Sequence, residues 1–122
     1  MNIAGHNVSA TGILPNEWER DGVAHAEPNE AQIEIAERWI ALFCTPRKTF
    51  NTRIGSYGLK HRVEHWTRTL PAPASRGESF GSEYVSNGAF IVAALRAGYL
   101  MRPHGGRSPN ASFNLSIRRT SR

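Results

Sequence analysis

Three stretches of the chain repeat apolar residues at helical spacing, and a fourth alternates them. Ile33, Ala36, Trp39, Ile40 and Phe43 recur every three to four positions, with Ile35 and Leu42 widening the stripe. This pattern predicts a helix with one buried face. Asn29 offers a capping oxygen ahead of it, with Gln32 three residues on, and Glu30 and Glu34 place negative charge where the helix dipole favours it. The helix is expected to reach about Cys44, and Pro46 ends it. A second helix is expected from Ser56, read as its cap, to about Thr67. Leu59, Val63 and Trp66 share a narrow arc there. The opposite arc carries His61, Glu64, His65 and Arg68, with Lys60 and Arg62 on its flanks. A third helix is expected from Asn87 to Gly98, whose lack of a side chain suits a left-handed ending. Residues 89–95 leave it almost no polar face, so it should be the buried one.

The alternating stretch sets Phe113, Leu115 and Ile117 against Ser112, Asn114 and Ser116, the period of a half-buried strand. A strand over 99–102, a Gly/Pro/Ser/Asn turn over 103–110 and this strand over 111–118 make a C-terminal β-hairpin. Elsewhere the pattern is weaker. Residues 1–28 have no period and read as an acidic, loosely ordered arm anchored near Ile13, Leu14 and Trp18. Residues 47–55 are a basic connection with room for one helical turn. Pro71, Pro73, Gly77 and Gly81 mark 69–83 as a loop, and 84–86 as a short strand before the third helix. The expected organisation is an arm (1–28), one α+β domain (29–118) and a basic tail (119–122). Three helices followed by a hairpin is the element order of a winged helix-turn-helix. Because a loop and an apolar helix separate the second helix from the hairpin, it would be a variant of that fold.

A length of 122 residues fits one domain with one core. The longest apolar run, 89–95, is far too short to cross a bilayer, and the chain does not start with a basic segment followed by an apolar one. A cytoplasmic protein with no membrane partner is expected. A single cysteine, Cys44, excludes an internal disulfide and any multi-cysteine zinc site within one chain, and its apolar neighbours mark it as a buried thiol.

Charge changes the picture most. Seven acids and two arginines occupy residues 1–45, whereas 46–122 hold 13 basic residues against Glu64, Glu78 and Glu83. Eleven of the 13 are Arg, whose planar fork grips phosphate or carboxylate oxygens. The expected partner is therefore a polyanion, with DNA the leading case and the protein a non-catalytic binder. The second helix would be the reader. Lys60, His61, His65 and Arg68 are expected to project from it, and Ser56 with the helix-start amides would hold a phosphate. Arg47, Lys48 and Arg53 before it, Arg102 and Arg107 on the hairpin, and Arg118 and Arg119 behind it would add phosphate contacts. No cofactor is expected. One catalytic pattern competes: His61-Arg62-Val63-Glu64-His65 spells H-x-x-E-H, which puts two imidazoles on one helical face as in inverted zinc peptidases. A third ligand would have to come from Glu78 or Glu83.

Two sets of residues carry a resemblance. Ser56-Tyr57-Gly58-Leu59-Lys60-His61 with Glu64 forms one. Tyr84-Val85-Ser86-Asn87-Gly88-Ala89-Phe90-Ile91 with Pro109-Asn110-Ala111-Ser112-Phe113-Asn114 forms the other. In these blocks the chain resembles small uncharacterised proteins carried by phages, plasmids and other mobile elements, a group without an assigned activity. The resemblance implies a bacterial or phage setting. It keeps a second function class open, an inhibitor that binds and blocks a host protein machine, with the acidic arm as its mimicking part.

Overall fold

A computed structural model describes residues 1–14, 25–70 and 84–118. In chain order the elements are β1 (Asn2–Ile3), β2 (His6–Ser9), β3 (Gly12–Ile13), α1 (Glu30–Phe43), β4 (Cys44–Pro46), α2 (Ser56–Arg68), α3 (Asn87–Arg96), β5 (Met101–Pro103), β6 (Ala111–Phe113) and β7 (Leu115–Ile117). The class is α+β. Among the described residues all strand pairs are antiparallel: a β1-β2-β3 meander, a β4-β7 ladder and a β5-β6 ladder.

The core is built around α3. Every residue from Asn87 to Ala94 is buried, and six of these, from Ala89 to Ala94, are apolar with no exposed surface. Such a helix needs cover on all sides. α1 lies along it with Ile33, Ala36, Trp39 and Ile40 facing inward, and α2, β2, β3 and β6 close the rest. The helix is capped at both ends. Ser86, one residue before the expected start at Asn87, is the cap and accepts the Ala89 amide on its hydroxyl at 3.0 Å. At the other end Gly98 adopts φ +94°, while Tyr99 N–H donates to Ala94 and Gly98 N–H to Leu95, the paired bonds of a Schellman ending.

The first 14 residues depart from the expected loose arm. Their strands are only two to four residues long, yet Val8 is fully buried and belongs to the core; Leu14, one of the expected anchors, is buried. The meander is held against the start of α3 by backbone approach. Gly88 N–H donates to Ala10 O at 3.0 Å, and a Cβ on Gly88 would stand 1.7 Å from Ser9 O. Beside it the Asn87 amide nitrogen donates to Thr11 O, Pro109 O and Asn110 Oδ1. One side chain therefore joins three segments.

The strand expected over 111–118 is two strands. β6 pairs with β5 (Met101 opposite Phe113), whereas β7 pairs with β4 (Cys44 opposite Ile117). Asn114 makes the break. Its Oδ1 accepts the Leu100 amide at 2.7 Å, and its Nδ2 donates to Arg47 O at 3.3 Å, so it serves both neighbours while the chain changes partner. β4 follows α1 without a linker, and no helical turn forms over 47–55. Residues 84–86, expected as a strand, pair with no other strand.

Gly88→Ala is expected to lower stability by about 1–3 kcal/mol, the usual cost of overpacking a filled interior. A urea melt with an unshifted midpoint would show that the meander can move aside.

Candidate nucleic-acid interface

The face of α2 that meets the core keeps Leu59 and Val63 of the expected apolar arc, both fully buried, but is shifted away from Trp66. Ser56, Leu59, Lys60, Val63, Glu64 and Thr67 are buried, while Trp66 is only half-buried. The helix is turned toward Lys60 and Glu64. Their side chains form a buried ion pair, Lys60 Nζ to Glu64 Oε2 at 3.0 Å, at 6% and 8% exposure. The same Oε2 accepts the Val85 amide at 2.9 Å, and Oε1 meets His61 Nδ1 at 2.9 Å. Lys60 also lies 4.6 Å from the Tyr84 ring centre and 5.3 Å from that of Tyr57. Burial pushes the Glu64 carboxyl up, but the Val85 amide, the Lys60 hydrogen bond and charge, and the His61 charge outweigh it, holding the group below the usual carboxylate range.

Two of the expected contact residues are thereby corrected. Lys60 does not project into solvent, because its charge is neutralised inside by Glu64. Ser56 is fully buried and accepts the Ala111 amide at 3.1 Å, so its hydroxyl is not presented to a phosphate. It is the first residue of α2 rather than its cap, which is Gly55. Within the H-x-x-E-H run, Glu64 is held by Lys60, His61 and the Val85 amide. Among the described residues no group of three or more His, Cys, Asp or Glu is placed to hold a metal ion.

Turning α2 this way brings Trp66 to the edge of a groove of about 1450 Å³ between α2, the end of α1 and β7. Trp39, Phe43, Ile54, Trp66 and Ile117 line it together with the exposed Arg53, His61, Arg62, His65 and Arg118. No carboxylate is among the described residues that line it. Each cation is placed by a specific element. Asn51 donates from Nδ2 to Leu115 O and accepts the Arg53 amide on Oδ1, fixing the loop that carries Arg53. Ile54 then packs on α2 at Gly58, where a Cβ would come within 2.8 Å of Ile54 Cγ1. Arg62 and His65 ride on the outer face of α2. Arg118 follows the β4-β7 ladder, its amide donating to Phe43 O.

The aromatic floor continues inward. Trp66 meets Phe43 edge-on at 6.0 Å, Phe43 lies 6.0 Å from Trp39, Trp39 contacts Phe90 at 6.1 Å, and Phe90 contacts Phe113 at 6.0 Å. The groove is thus seated on the core. Cys44, beneath Arg118, is buried, and desolvation pushes its thiol up to about 12 against a smaller opposing pull from Arg118.

Of the expected contact residues, Arg53, His61, His65 and Arg118 converge on the groove. Arg68 occupies the last turn of α2. Arg47 and Lys48 are exposed after β4, where Arg47 donates to Thr49 Oγ1. Arg102 on β5 lies 4.4 Å from the Phe50 ring centre, and Arg107 is exposed in the connection from β5 to β6. Arg119, the acids Glu17, Glu19 and Asp21, and the loop acids Glu78 and Glu83 fall outside the described residues. Sequence reasoning did not place Arg62, Trp66 and Phe43 in the site. The available signal was the i,i+4 spacing of Lys60 and Glu64, which allows two opposite charges to be buried together. No protein-family profile, no curated protein and no solved structure matches the chain.

Glu64→Gln keeps an acceptor for Val85 but leaves Lys60 buried without a counter-charge, and should cost about 3–5 kcal/mol in urea unfolding at pH 7. Because the folded carboxyl titrates below its unfolded value, the native pair contributes fully above about pH 4.5 and is lost as pH falls through the lower folded value. The stability gap between the native protein and the variant should therefore narrow in acid; a gap constant from pH 7 to 3 would contradict this. Cys44 should resist a thiol reagent at pH 8 until urea unfolds the chain, and rapid labelling of the native protein would contradict its burial.

Proposed function

We propose that this protein binds DNA through the groove between α2 and β7, chiefly by phosphate contacts and without chemistry on its ligand. One observation carries the reading: Arg53, Arg62 and Arg118, from three separate elements, line the same groove with His61 and His65 and with no acid among its described lining residues. Guanidinium groups gathered from a loop, a helix and a strand end suit repeated phosphates, and a long polyanion can reach all of them at once. Within a winged-helix reading, α2 would be the reading helix and the β5-β6 pair the wing. The outward Arg62 and His65, and the exposed Arg102 and Arg107, support that assignment.

Affinity for DNA is expected to fall steeply with salt, with a log–log slope of roughly 0.9 per phosphate contact on a duplex. Replacing Arg53, Arg62 and Arg118 together by Ala should reduce that slope by about 2–3 and weaken binding alike across sequences. If the wing takes part, Arg102→Ala and Arg107→Ala reduce it further; if they do not, contact is confined to the groove. Binding that ignores salt, or a triple variant that binds as well as the native protein, would remove the basis of the reading.

A further inference from the structure

We infer that the groove takes an unpaired strand of DNA, with phosphates on its arginines and a base stacked on Trp66, an inference that rests on the DNA-binding reading above and narrows its substrate. Three features lead there. First, a volume of about 1450 Å³ exceeds the ~300–1,000 Å³ typical of small-molecule pockets, so the groove suits a length of polymer. Second, Trp39, Phe43 and Trp66 line it, and Trp66 keeps part of its indole accessible. Third, arginines from separate elements line the same groove: Arg62 from α2, Arg53 from the loop before it and Arg118 just after β7.

A duplex uses only the last of these features. Its bases are stacked on one another, so an indole in the lining of the groove has no free base face to meet. An unpaired strand offers both parts at once. Its backbone tracks the cations while a base turns inward onto the ring, the combination by which basic channels with aromatic platforms hold single strands. The contacts from Trp66 through Phe43 to Trp39 fix the platform against the core, so little ordering is required when a base arrives.

Fluorescence anisotropy on the full chain, at one fixed salt concentration, separates the possibilities with three labelled probes of equal length: oligo-dT, the same strand with abasic sites, and a duplex. Oligo-dT should bind about tenfold or more tighter than the abasic strand, a difference of about 1.4 kcal/mol. Trp66→Leu should remove that difference while leaving the salt slope intact, and Trp66→Phe should restore part of it. A thermal melt of each variant verifies folding. In the native protein, a strand carrying 5-iodouracil should crosslink under ultraviolet light to the peptide containing Trp66, which tests the contact without any substitution. Equal binding of oligo-dT and the abasic strand, or crosslinking elsewhere, overturns the stacking inference. A duplex bound more tightly than the strand, with Trp66 indifferent, does the same while leaving the phosphate-binding reading standing. Failure of all three probes to bind removes both.

Discussion

A helix with no polar side cannot lie on a surface, and α3 is such a helix. From Ala89 to Ala94 it offers nothing that water would solvate, so the remaining elements are arranged by the need to enclose it. α1 covers one side with its Ile33, Ala36, Trp39 and Ile40 stripe. The short meander at the chain start closes the N-terminal end, where Gly88 admits the Ser9 and Ala10 backbone, and β6 contributes Phe113 against Phe90. Strands too short to be stable alone persist where they help to complete this enclosure, as β2, β3 and β6 do.

Covering α3 also determines how α2 faces. Its inner side carries Lys60 and Glu64, a pair admissible in a core only because each neutralises the other and Glu64 satisfies the Val85 amide at the entry to α3. With those two inside, Trp66 has no place in the interior and comes to rest at the rim, against Phe43. The polar pair and the half-open indole are two sides of one rotation. The groove follows from it, and Arg62 rather than Lys60 becomes the cation that α2 presents.

The parts legible in the sequence are those set by local pattern. α1 runs from 30 to 43 with Asn29 as its cap, because its stripe and capping residues agree. The burial of α3 follows from composition alone. What escaped the pattern depends on distant partners. Reading charges one at a time sends Lys60 and Glu64 outward; only their mutual pairing brings them in. The break at Asn114 is invisible to alternation, since the apolar period continues through it while the hydrogen-bonding partner changes from β5 to β4. Two-residue strands such as β1 and β3 carry no period at all. As for the cations, Arg53 and Arg118 line one groove because Asn51 and the β4-β7 ladder join segments more than sixty residues apart in sequence. Arg47 and Arg102, equally basic, have neighbours of their own in Thr49 and Phe50.

The Asn87-Gly88 step has a chemical consequence. In a flexible chain this dipeptide ages readily, because the unhindered glycine nitrogen attacks the asparagine amide carbon and closes a succinimide ring with loss of ammonia. Here the attacking nitrogen is turned toward Ala10, while the amide that would leave is held by Thr11, Pro109 and Asn110. Folding therefore shelters the bond most prone to spontaneous decay. Each excursion to the open chain exposes it, so accumulated aspartate and isoaspartate at this one position would record the time the molecule has spent unfolded.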